Sequence, residues 1–379
     1  MNDEAYPIHA ELEERDRLIH VLTAEAKVID KGNIRFVAYG IPLQETESVT
    51  ETIGTLMQKA IPCLEHYTEV RLEDGPLTVF IMDRRVPIPG VKDTLAGRSF
   101  VQKLPSSLGS GRGLLLLGPR LSDHHVIEEL THQYVDELEI IEAGGKIVTP
   151  HTLNEGFTNY LANTVLSTIC EKEMVTPDLT HYGKMALGKL KEAVVKRNIV
   201  EINRFICSFI DYPLSESLFA FVNNRFEEEN AAGQLYREIV KMSRIFWAVR
   251  GEKTFSPRQP EDLPALNRES RNAVILDILG IKDGDTPLIN QALANQEIPL
   301  EKKLIAWLYL QQIRYQSPAV KKETLSVLKA NLKERQTAGA IFDRALGRCF
   351  DLEERQKAHF YRDWAIGLLK KSLDQAQTS

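Results

Sequence analysis

Along this chain, short apolar runs dominate the first third, and apolar positions then recur every three or four residues. Ile34–Tyr39 alternates in character and predicts a strand that closes at Gly40. Over residues 51–67, Ile53, Met57, Ala60, Ile61 and Leu64 fall on one face, the signature of an amphipathic helix. Leu77–Met82, apolar at all positions but Thr78, and the Gly-Leu-Leu-Leu-Leu-Gly run at 113–118 have strand length, so both predict buried strands. The Pro- and Gly-rich residues 86–113 between them predict a long irregular loop. Within the charged stretch 9–30, Ile19, Leu22, Ala26 and Ile29 have helical spacing and predict a helix.

Helical patterning takes over further on. Ser122-Asp123 is an N-cap signal for a helix over about 124–140, and Gly144-Gly145 closes it. A second helix is expected from Asn154 to about 168, with more helical stretches to about 249. Pro257, Pro260 and Pro264 mark a linker at 254–265. Beyond it, Ser317-Pro318 opens a helix striped by Leu325, Leu328 and Leu332. Asp351-Leu352-Glu353-Glu354 has a capping-box pattern for a last helix. The expected class is α+β. Residues 1–49 form an N-terminal helix and strand, 50–253 a domain with a small early β-sheet and a helical second half, and 266–379 an all-α C-terminal domain.

Composition narrows the function classes. The 379 residues suffice for two or three domains with real cores. A formal net charge of -6 argues against nucleic acid as the main partner. The N-terminal residues lack a signal-peptide pattern, and the longest apolar runs are too short to span a bilayer, so no membrane association is expected. Cys63, Cys170, Cys207 and Cys349 form no C-x-x-C pair, which fits free thiols and a cytoplasmic location.

Val126-Ile127-Glu128-Glu129-Leu130-Thr131-His132-Gln133 carries the chemistry. It matches the zinc-peptidase pattern H-E-x-x-H except that Glu128 stands at the first histidine. Residues four apart on a helix share a face, so Glu128 and His132 can grip one ion. Glu129 lies about 100° round the helix, placed to accept a proton from an attacking water. A third donor must come from elsewhere, and Glu155 in Leu153-Asn154-Glu155-Gly156-Phe157 is the candidate. Two carboxylates acidify water less than two histidines would and shift preference from zinc toward Mn or Fe. His124 lies one turn before Glu128, so a His124/Glu128/His132 stripe is a second arrangement. Polar residues on an ordinary surface helix are the bland alternative. His151, near Glu155 in sequence, is expected as an exposed loop histidine, with a place in the cleft as the alternative, and Gly109-Ser110-Gly111-Arg112-Gly113 as a turn before a strand rather than a dinucleotide fingerprint.

With both signatures in place, residues from about 50 to 249 resemble the gluzincin zinc metallopeptidases, in particular the peptidase-MA-like group related to zinc aminopeptidases. The order of pieces is similar: helix, strand, loop, strand, H-E-x-x-H-type helix, then a helix with an N-E-G-F-like signature. The gap from His132 to Glu155 is longer than in the aminopeptidases. The resemblance implies Glu155 as third zinc ligand, His132 as the second histidine and Glu129 as general base, while Glu128 has no counterpart. A family tyrosine that supports the oxyanion carries over to Tyr212 within Asp211–Phe219, with Tyr182 and Tyr236 as alternatives. The strand near 114–117 would be an edge strand that pairs with the substrate backbone. The expected function is metal-dependent hydrolysis of a peptide or protein substrate. The alternative is an inactive pseudoenzyme that keeps the cleft and binds proteins through its helical domain. Glu128 as an introduced replacement of a native histidine is a third reading.

Overall fold

The computed structural model describes residues 27–72, 77–82, 98–100, 113–117, 122–144, 148–170, 193, 195–196, 212–226, 228–250, 332–361 and 363–364. Five strands, β1 (Lys27–Lys31), β2 (Ile34–Tyr39), β3 (Leu77–Met82), β4 (Arg98–Phe100) and β5 (Gly113–Leu117), form one sheet in the order β1-β2-β3-β5-β4. β1 and β2 make an antiparallel hairpin across Gly32-Asn33, with Gly32 at φ +60°. A side chain there would strain the turn, and Gly-Asn is a two-residue hairpin signal. Residues 27–30, expected at the end of a helix, are therefore strand. Residues 9–26 lie outside the described residues.

β2, β3 and β5 pair in parallel. Parallel neighbours need a crossover, and between β2 and β3 it is helix α1 (Leu43–Thr68). Every residue of β3 is buried, which explains a run that is apolar at every position but Thr78. α1 begins eight residues before the expected position 51. Its first turns are polar in sequence, yet Thr46 and Thr50 are fully buried in line with Ile53, Met57, Ala60 and Leu64. The Thr46 hydroxyl donates to the Pro42 carbonyl at 2.9 Å, so burial leaves no hydroxyl unsatisfied there. The expected boundary at 49/50 falls inside this helix. Glu69 ends it in the left-handed region at φ 54°, its N–H donating to the Glu65 carbonyl at 2.8 Å.

β4 lies within the stretch expected as irregular loop and pairs antiparallel with β5, Arg98 opposite Leu115 and Phe100 opposite Gly113. β5 therefore has a neighbour on each side over Gly113–Leu115. That corrects the expectation of an edge strand near 114–117, because the edge position belongs to β4.

Helix α2 (Asp123–Ala143) opens on Ser122, whose hydroxyl accepts the His125 N–H at 3.3 Å and lies 2.6 Å from His125 Nδ1. Gly144, at φ 71°, follows its last turn. α2 is no surface helix: Val126, Ile127, Leu130, Tyr134, Val135 and Leu138 are core, and Glu129, Thr131, Gln133 and Glu139 are buried too. Helix α3 (His151–Cys170) starts three residues before the expected Asn154, where the Pro150 carbonyl accepts the Leu153 and Asn154 N–H groups at 2.9 and 3.1 Å.

The described residues divide into two compact units, Met1–Ile141 with Leu161–Met174, and Glu142–Tyr160 with Val175–Ser379. The first holds the sheet and α1. The second holds α4 (Tyr212–Arg225), α5 (Ala231–Arg250), α6 (Leu332–Cys349) and α7, described at 354–361 and 363–364. The division falls within α2 and α3, so their residues are taken with the unit that holds them. An aromatic cluster forms the second unit's core: Phe157 stacks on Tyr236 with centroids 4.1 Å apart, and Phe219 meets Phe157 edge-on at 5.1 Å. Phe226 stacks on Phe350 at 3.8 Å, and Trp364 Nε1 donates to Ser217 Oγ at 3.2 Å.

Asp351 does not cap the last helix as expected. It sits left-handed at φ 52°, and the Leu352 N–H donates back to the Gly347 carbonyl at 3.0 Å, the C-terminal closure of α6. The cap of α7 is Glu353, whose N–H donates to Gln356 Oε1 at 2.8 Å. The linker expected at 254–265 and the Ser317-Pro318 helix start lie outside the described residues. At the coarse level the chain is α+β, with a small sheet early and, among the described residues after it, helices.

Candidate metal centre

α2 projects His124, Glu128 and His132 one turn apart, because residues at i and i+4 stack along one helix face. His124 Nδ1 lies 3.5 Å from Glu128 Oε2, at the outer limit of a hydrogen bond. Burial raises the Glu128 pKa, but the His124 interaction and the charges of His124, His132 and His125 outweigh it. The carboxyl titrates below its ordinary value and stands ionised near neutrality. The neighbouring Glu129 is buried, only 9% exposed.

In α3, three of the N-E-G-F letters have packing or hydrogen-bonding roles. The Asn154 amide donates to the Tyr236 hydroxyl at 3.2 Å. Phe157 is the stacked core ring described above. Gly156 lies where α3 meets α4 most closely: a Cβ there would stand 2.1 Å from Ser215 Cβ and 2.9 Å from the Ser215 carbonyl carbon. Only glycine fits that gap. Glu155 lies between Asn154 and Gly156. It sits in the second turn of its helix rather than at the start, with a side chain 16% exposed.

One ligand atom from each of Glu128, His132 and Glu155 lies within 4.8 Å of the others. Among the described residues this is the group of three or more histidine, cysteine or acidic side chains able to hold a metal ion, and His124 is not in it. Two carboxylate oxygens and an imidazole nitrogen suit a divalent ion, as zinc takes such ligands and leaves a place for water in catalytic sites. The donor set fits a metal on its chemistry.

The remaining candidates separate clearly. His151, expected in a loop, is the first residue of α3, and its Nε2 stands 3.7 Å from Glu155 Oε1. The i, i+4 spacing was the available signal, the same as between His124 and Glu128. Tyr212 opens α4 and meets the His151 ring edge-on at 5.4 Å. Tyr236 is fully buried, stacked and hydrogen-bonded to Asn154, which makes it a core residue rather than an oxyanion donor. Tyr182 lies outside the described residues. Among those residues no helix is long and apolar enough to cross a membrane, and Cys63, Cys170 and Cys349 are free thiols. No protein-family profile, curated protein or solved structure matches the chain.

Proposed function

We propose that this chain is a metal-dependent peptide hydrolase with a gluzincin-like site, in which Glu128, His132 and Glu155 hold a divalent ion such as zinc. The observation that carries the reading is the convergence of those three donors, within 4.8 Å of one another, from two helices that bear the paired signatures. A bound ion would supply Lewis acidity toward a peptide carbonyl and a water made more acidic than in bulk. Glu129, the next residue of α2, would take the proton from the attacking water on its carboxylate and pass it to the leaving amine. Tyr212 would offer its hydroxyl to the developing oxyanion. The substrate would be a peptide or protein.

A second reading, a metal-free scaffold with a peptidase-like cleft, draws support from His124 and His151. Each already faces one of the two carboxylates. Elemental analysis of purified protein, followed by peptide cleavage assays, decides between them. The hydrolase reading expects stoichiometric metal that is lost in His132→Ala and Glu155→Ala. Glu129→Gln should keep the metal and lose roughly 100-fold or more in cleavage rate. Glu128→His, which completes the motif, should bind zinc more tightly and cleave faster. Protein that takes up no metal, in the natural and Glu128→His forms alike, would leave the scaffold.

A further inference from the structure

We infer that His124 and His151 are positioning residues, each restraining one carboxylate of the Glu128/His132/Glu155 group from one turn upstream on its own helix; this rests on the metal-centre reading above. The two pairs share a single design. His124 precedes Glu128 by four residues in α2, and His151 precedes Glu155 by four residues in α3. Side chains in an α-helix lean toward its N-terminus, so the glutamate reaches back to the histidine one turn before it. The separations are 3.5 Å from His124 Nδ1 to Glu128 Oε2 and 3.7 Å from His151 Nε2 to Glu155 Oε1. A carboxylate has two oxygens, so one facing a histidine leaves the other for the ion.

The chemistry gives these neighbours a specific task. Two carboxylates and a neutral imidazole carry two negative charges, enough to cancel a divalent ion. An imidazole beside each carboxylate, at the limit of hydrogen-bond reach for His124 and as a longer electrostatic contact for His151, draws electron density away from the ligand oxygen and restores part of the ion's acidity. It also fixes the rotamer, since a glutamate free to turn about three bonds would lose more entropy on binding. Replacing the first motif histidine by Glu128 thus comes with a histidine next to the replacement. His124 is 23% exposed and His151 57% exposed, so the second can be changed with little risk to folding.

Zinc affinity is measured by chelator competition on the full chain, and the visible absorption bands are recorded on the cobalt-loaded protein. Wild type should bind about one equivalent. His124→Ala and His151→Ala should each weaken zinc binding about ten- to a hundredfold. Both should also shift the cobalt bands, which a merely structural role would leave in place. His124→Gln, which keeps an N–H donor, should recover most of the lost affinity. Metal-free thermal melts report folding; if His124→Ala melts early, His124→Gln and His151→Ala carry the comparison. Folded variants with wild-type affinity and unchanged cobalt bands would overturn the positioning role while leaving the metal centre standing, as would failure of His124→Gln to recover affinity. A wild type that binds neither zinc nor cobalt would instead overturn the metal centre, and this inference with it.

Discussion

Gly156 sets the tightest tolerance among the residues of the candidate site. Its helix approaches α4 so closely that a methyl group would overlap Ser215 at 2.1 Å and crowd the backbone nitrogen of Glu216 at 3.0 Å. Backbone atoms cannot rotate aside, so relief requires moving one helix. We expect Gly156→Ala to lower unfolding free energy by about 1–3 kcal/mol in urea titrations, the usual cost of overpacking. It should also weaken zinc binding, although the added methyl touches no donor, because the displaced helix carries Glu155. A destabilised variant with wild-type zinc affinity would show that Glu155 is placed by something else. At this scale Glu155 was legible because the letters around it formed a known signature. The structural jobs of Asn154 and Phe157 were not, since both depend on Tyr236, which lies about 80 residues away in sequence. His151 is exposed as expected but lies on the helix and not in a loop, because the expected helix began too late to include it.

Helix ends explain most of the differences between expected and observed elements. The start of α1 is hidden in sequence because threonines occupy its buried face, so a search for apolar periodicity begins only at Ile53. The Asp351-Leu352-Glu353-Glu354 run contains both the end of one helix and the start of the next, and its letters do not say which. β1 overlaps a helical spacing, and only the Gly32-Asn33 turn distinguishes the two. One end offers a test. Glu69 closes α1 at φ 54°, where a non-glycine residue incurs about 1–2 kcal/mol of strain. Glycine removes that strain but loses about 0.5–1 kcal/mol of chain entropy on folding. The net expectation for Glu69→Gly is stabilisation by about 0.5–1 kcal/mol, read as a higher denaturation midpoint at unchanged slope. A lower midpoint would mean that the Glu69 side chain contributes more than its backbone conformation costs.

For the whole molecule, the α+β class was legible from the order of patterns, strand-length runs early and helical spacing late. The position of β5 inside the sheet was not, because β4 is three residues long and sits in a stretch dominated by proline and glycine. Nor did the sequence distinguish a surface α2 from a buried one, since its charged letters at 128, 129, 137 and 139 imitate a solvated face while Glu129 and Glu139 are buried. That burial bears on the proposed uptake of an ion. Amides flanked by core residues from Val126 to Leu138 should exchange with deuterium only when the protein unfolds globally, whereas the first turn of α3 at exposed His151 should exchange by local opening. The α2 half of the donor set is then present whenever the chain is folded, and an ion would meet a preformed surface instead of organising one. Zinc addition should leave the far-ultraviolet dichroism unchanged and slow exchange chiefly at residues 151–155, the opposite of domains that fold around their metal. Exchange at 126–138 as fast as at the start of α3, followed by strong protection on adding zinc, would instead mark a chain whose order waits on its ion.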